Sequence, residues 1–165
     1  MKEKATTIGG RGELLRVWMN ALEKTARDFH GTRPKRFCRR VYEHAVEELF
    51  KIMGEYGLSV SKASTLRESV ERYVEASVQA GLLEDVSQVQ ITEINVNNLD
   101  IRVNHCPFAG SCRDLLESGL TLKELTCAQM GCFRGAVLLL SDVDCQYDLI
   151  AFDPVKGCQG IMERV

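Results

Sequence analysis

"GCFRGAVLLL", residues 131–140, decides how the C-terminal half of this chain is built. A short apolar run does not settle its own period, because it suits a buried strand or a buried helix equally. Two features favour helix. Gly131 and Gly135 are four residues apart, which on a helix permits close approach of a neighbouring backbone. Upstream, Thr121 and Glu124 have capping-box spacing, which would open a helix running through Cys127 and Met130 into this stretch.

The flanking segments change period. "CQYDLIAF" (145–152) reads as a strand, "DPVKG" (153–157) as a turn, and "CQGIMERV" (158–165) as a final strand paired with the first. On the other side, "VQITEINV" (89–96) and "IRVNH" (101–105) alternate, with Ile101, Val103 and His105 on one face. "NNLD" (97–100) supplies turn residues, so a β-hairpin is expected. "CRDLLES" (112–118) is a short helix ending at Gly119. The first half is helical. Leu15, Trp18, Leu22, Ala26 and Phe29 make one stripe from Glu13 to Phe29, broken by "HGTRP" (30–34). Val41, Ala45, Leu49 and Ile52 make a second, from about Pro34 to Tyr56, with Gly57 as C-terminal cap. A third runs from Leu66 to Gly81 behind a Thr65–Glu68 box. The expected fold class is α+β: N-terminal helices packed on a C-terminal antiparallel sheet with inserted helices. One domain spans 1–165, with a helical half at about 12–84, a cysteine-rich half at about 87–165 and a flexible lead over 1–11.

Composition is that of an ordinary globular protein, 45% hydrophobic and 27% charged. The net charge of −2 gives no global attraction to nucleic acid, which is not expected as a partner. No apolar run approaches the roughly 18–20 residues of a membrane span. The N-terminal sequence lacks a signal-peptide core, so a cytoplasmic location is expected. Seven cysteines stand out. In a reducing compartment they suggest metal ligands or redox chemistry more than disulfides, although free cysteine is also a small buried hydrophobe.

Cys38 is alone in the first half. Cys106, Cys112, Cys127, Cys132, Cys145 and Cys158 all fall in the last 60 residues. No C-x2-C pair occurs, so neither a common zinc ribbon nor a C-x-x-C redox motif is present. Placement says more than spacing. Cys106 ends a strand before a proline. Cys127 lies in the first turns of a capped helix, where the dipole favours a thiolate. Cys158 follows Gly157 at a turn-to-strand junction. Cys127 and Cys132 are about 140° apart on a helix, which ranks Cys132 below Cys127. Cys112 can reach Cys106 through the "FAGS" loop, and Cys145 can oppose Cys158 if the last strands pair.

"NHCPF", then "ELTC", "GAVLLL" and "GCQGIMER", together resemble a cysteine-rich module over roughly residues 87–165. The stretch is similar to methanogen-output-type domains and to the cluster-holding C-terminal region of iron–sulfur winged-helix repressors. More distantly it resembles the 4-vinyl reductase domain, a small-molecule-binding fold shared with haem–nitric-oxide-binding and TRAPP-subunit proteins. The resemblance places Cys106, Cys127 and Cys158 on the module's cysteine positions, with no secure counterpart for Cys112, Cys132 or Cys145. The N-terminal helices depart from the repressors, since no basic recognition helix is found. A similarity to the 2-aminothiazoline-carboxylate hydrolase family keeps a thiol enzyme in view.

Other motifs read as structural. Adjacent strand residues point to opposite faces, so His105 and Cys106 would need a bulge to share an ion. His44 reads as a surface helical residue and His30 as a helix C-terminal one. "RPKRFCRR" (33–40) concentrates basic residues at a helix start, an anion-binding feature unless Glu43, Glu47 and Glu48 neutralise it. Asp142 and Asp144 read as a polar turn. The leading expectation is a sensor or ligand-binding domain holding an iron–sulfur cluster or zinc through thiolates. A small-molecule ligand, a signalling-protein partner and a homodimer go with it. The alternatives are a thiol-dependent enzyme, hydrolase-like or dithiol redox, and a metal-free interaction domain.

Overall fold

The computed structural model describes residues 10–30 and 35–165. The expected flexible lead therefore lies almost entirely outside the described residues, as does most of the "HGTRP" break. Helices α1 (Gly10–His30), α2 (Lys35–Glu55) and α3 (Leu66–Gln79) come first. A 3-10 turn (Val86–Gln88) leads into strands β1 (Val89–Asn95) and β2 (Asn98–Val103). Helices α4 (Ala109–Glu117) and α5 (Ala128–Ser141) follow, then β3 (Cys145–Asp153) and β4 (Gly157–Arg164). The four strands form one antiparallel sheet in the order β1-β2-β4-β3. The class is α+β, with helices early and most of the sheet late.

The stretch 131–140 is helical. Every residue from Ala128 to Val137 is buried, because a helix apolar on all sides is stable only inside a core. Its glycines account for the depth. At Gly131 the ring of Tyr42 in α2 occupies the space a Cβ would take, 2.0 Å away. At Gly135 the backbone of α2 comes to 3.3 Å from that same position. On the other side α5 rests on the sheet, where Gly160 of β4 leaves room for Met130. The inner face carries Leu99, Ile101, Val103, Tyr147, Leu149 and Met162, all buried. Tyr73 of α3 meets Phe133 edge-on at 5.7 Å.

Local signals located most boundaries. Gly57 caps α2 with φ +78, and Leu58 N–H bonds back to Met53. The Thr65 side chain accepts from Glu68 N–H, although Glu68 reaches back to Ser64 rather than to Thr65. Four expectations need correction. The hairpin turns at Val96–Asn97, and Asn98 to Asp100 belong to β2. His105 leaves the strand with φ +48 and is exposed, so it does not continue the Ile101–Val103 face. Only half of the Thr121–Glu124 box forms: Thr121 N–H donates to Glu124 at 2.7 Å, but Glu124 N–H bonds to the Thr121 carbonyl and closes a turn. The helix begins only at Ala128, with Cys127 at its N-cap. Finally, only part of the expected α1 stripe is packed: Ala26 is buried and Leu22 half-buried, while the rest faces outward. Trp18 is 68% exposed and Phe29 82%. What docks is the flank bearing Met19, Asn20, Glu23 and Ala26, with Asn20 bonded to Ser111 and Asp114 of α4.

Among the described residues the charged motifs enter ion pairs. Arg40 pairs with Glu43 at 2.8 Å. Buried Arg134 of α5 holds Asp144 at 2.6 Å, pairs with Glu43 and donates to the Cys145 carbonyl at 2.7 Å. Such buried charge must be paired on every side to be tolerated.

Candidate metal centre

Three stretches of sequence, 106–112, 127 and 158, meet at one end of the sheet. Cys106 follows β2, Cys112 lies in the first turns of α4, Cys127 caps α5 and Cys158 opens β4. All four are buried free thiols. Their side chains lie close enough to influence one another in a row, Cys112 with Cys127, Cys127 with Cys158, and Cys158 with Cys106.

The backbone is bent to make this meeting. His105, just before Cys106, and Cys127 itself have left-handed φ of +48° and +47°. Such a non-glycine conformation costs about 1–3 kcal/mol, and it tends to collect at sites where geometry matters. Gly157, just before Cys158, has φ +99, and a Cβ there would lie 1.9 Å from the Val103 carbonyl. Strand register completes the arrangement: Cys158 pairs with Val103, three residues before Cys106.

The environment keeps Cys112, Cys127 and Cys158 protonated. Cys112 is pushed well above the ordinary thiol range by donating to Cys127 and by burial. At Cys127 the bond from Cys112 pulls down, but donation to Cys158 and complete burial prevail and push it up. Cys158 rises to about 12, chiefly through its bond to Cys106, with burial adding to it. The expected dipole-stabilised thiolate at Cys127 is thus overridden by donation to Cys158 and by burial.

The donor set suits a thiophilic metal. Four thiolates are the ligand chemistry of structural zinc and of iron–sulfur clusters. Two thiolates about 2.3 Å from one tetrahedral ion lie about 3.8 Å apart, which is hydrogen-bond separation for sulfur. Among the described residues no group of three or more His, Cys, Asp or Glu is placed so as to hold a metal ion, so binding one requires the thiols to rearrange.

The other thiols stand apart. Cys132 faces Tyr73, and burial raises it to about 11. Cys145 pairs with Arg164 while Cys158 pairs with Phe152. Seven residues of β3, about 23 Å, separate those positions. The expectation that Cys145 opposes Cys158 fails on strand register, and neither Cys132 nor Cys145 shares the four-thiol site.

Sequence reasoning missed a buried polar knot beside the thiols. Tyr42 donates to Glu23 at 2.8 Å and lies 2.9 Å from the Thr126 hydroxyl. Thr126 bonds Glu23 through its hydroxyl and, at 3.4 Å, through its N–H. Tyr147 donates to the Thr126 carbonyl. Residue 126, directly before Cys127, is therefore held on three sides. Burial raises the Glu23 carboxyl. Cys38 lies close by, pushed to about 12 by burial and then by Glu23. The available signal was Glu23 itself, a charge on the Met19–Ala26 flank of α1.

No protein-family model matches the chain, and no curated protein matches it either. Among the described residues no helix is long and apolar enough to cross a membrane.

Proposed function

We propose that this chain is a sensor or ligand-binding domain whose thiols Cys106, Cys112, Cys127 and Cys158 hold a metal centre, zinc or an iron–sulfur cluster. The observation that carries the reading is the run of four neighbouring buried thiols brought together from residues 106–112, 127 and 158. A bound centre would supply the positive charge that stabilises all four as thiolates. The chain's own part is to bring the sulfurs together through the bends at His105, Cys127 and Gly157, and to exclude water by burial. Zinc would make the site structural, and a cluster would make it a redox or gas sensor.

The enzyme reading has less support. A nucleophilic cysteine needs a depressed pKa and access; all four thiols are buried, and Cys112, Cys127 and Cys158 are pushed up. A homodimer belongs to the proposal, because the Leu15, Trp18 and Phe29 face of α1 is exposed apolar surface that a second copy would cover.

The test is anaerobic purification followed by a visible spectrum and iron, sulfide and zinc assays. A stoichiometric metal, lost on Cys127→Ser and kept in Cys145→Ser, supports the proposal. A metal-free protein that takes up neither zinc nor reconstituted cluster overturns it.

A further inference from the structure

A second site lies on the outer face of the sheet at the end where β4 begins, and Cys158 is among the residues that line it. A groove of about 490 Å³ is floored by Gln90, Arg102 and Gln159. Gln90 pairs with Arg102 and Arg102 with Gln159, so these side chains form one row across three strands. Their neighbours Ile101, Val103 and Cys158 are buried, so by alternation the row points outward. The β3–β4 turn with Lys156 makes one wall, and the β2–α4 loop with His105 makes the other. Gly157 presses that turn onto the end of β2, so the shape is set by backbone.

The charges in the groove are unbalanced. Asp153 lines it too, but its Oδ1 already accepts the Val155 and Lys156 N–H groups, both at 2.8 Å. Asp100, two residues from Arg102 on the same strand face, accepts from Gln159 at 2.8 Å through Oδ2, while its buried Oδ1, which has no hydrogen-bond partner, makes a long ion pair with the Arg102 Nε at 3.9 Å. The Arg102 side chain is 60% exposed. Two cations and several amide donors thus face the cavity, with Arg102 held only by that long contact and Asp153 engaged in the turn that carries Lys156. Phe152 and Val155 add an apolar strip.

We infer that this groove binds a small oxyanion, a carboxylate or phosphate, through Arg102 and Lys156, with any apolar body of the ligand lying on Phe152 and Val155. Guanidinium and ammonium donors are the groups that recognise such oxygens. The inference does not depend on the metal: the groove's cations belong to the sheet face and the turn.

The test titrates the full-length chain with acetate, benzoate and inorganic phosphate at constant ionic strength, following backbone amide NMR shifts. Saturable shifts at Arg102, His105, Lys156 and Gly157 are expected. Arg102→Gln with Lys156→Gln should weaken binding about tenfold or more, while Arg113→Gln, outside the groove, leaves it unchanged. Saturation by phosphate alone assigns a phosphate ligand. Saturation by the carboxylates, with benzoate tighter than acetate, assigns an apolar carboxylate. Shifts that never saturate, that spread over all basic residues, or that persist in the double variant overturn the inference. Metal content is measured on the same samples, so failure of the groove and failure of the metal site are separate results.

Discussion

Gly131→Ala is a demanding test of how α5 is seated. An alanine in a helix interior is favoured over glycine by about 1 kcal/mol, so propensity predicts stabilisation. Packing predicts the reverse. The new Cβ would lie 2.0 Å from Tyr42 Cδ2 and within 2.8 Å of two more ring atoms. The ring would have to move by about 1.5 Å to reach ordinary contact distance. It is not free to do so, because the Tyr42 hydroxyl is bonded to Glu23 and Thr126. Overpacking costs about 1–3 kcal/mol, and disturbing two buried hydrogen bonds adds about 1 kcal/mol each. Net of propensity, Gly131→Ala should destabilise by about 2–4 kcal/mol, a fall of roughly 5–15 °C in Tm for a chain of this size. Gly135→Ala provides the contrast. Its nearest neighbours lie at 3.3 Å, so a small adjustment offsets the propensity gain and the change should stay within about 1 kcal/mol. Urea denaturation followed by circular dichroism measures both. A Gly131→Ala protein as stable as the parent, or equal to Gly135→Ala, would refute the close seating of α5 on Tyr42.

Burial raises the Glu23 carboxyl above 4.5, so the folded state retains this proton more readily than the unfolded one. Stability from this group is complete below about pH 4.5 and is lost as pH rises through the elevated folded value. Glu23→Gln should remove that part of the pH slope, as measured by urea denaturation from pH 4 to 8; an unchanged slope counts against it. Gly157→Ala places a Cβ against the Val103 carbonyl at a φ of +99. It should cost about 2 kcal/mol or more and lower metal content together with stability; retention of both would show that the turn has slack. Trp18→Ser should turn a dimer into a monomer by light scattering while leaving helicity intact, since Trp18 is 68% exposed. A monomeric parent protein defeats the dimer proposal. Alkylation of Cys158 in the metal-free native chain should be slow at pH 7 and accelerate on unfolding, because its pKa stands near 12 and it is buried.

The element types and their order were legible in the sequence, because periodicity, caps and turn residues act over a few neighbours. The apolar run at 131–140, the Gly57 cap, the Asp153–Gly157 turn and the stripe of α3 all belong to that class. The sequence also marked Cys106, Cys127 and Cys158 as element ends, and put Cys132 on the wrong side of its helix for the same site. It did not determine which cysteines meet. That depends on the register pairing Val103 with Cys158, on the left-handed backbone at His105 and Cys127, and on α1 inserting Glu23 beneath Thr126. Each links residues tens of positions apart, and no local pattern encodes such a link. The outward-facing part of the α1 stripe has the same cause: amphipathicity shows that a helix has an apolar face, but the surfaces folded around it determine whether that face is covered.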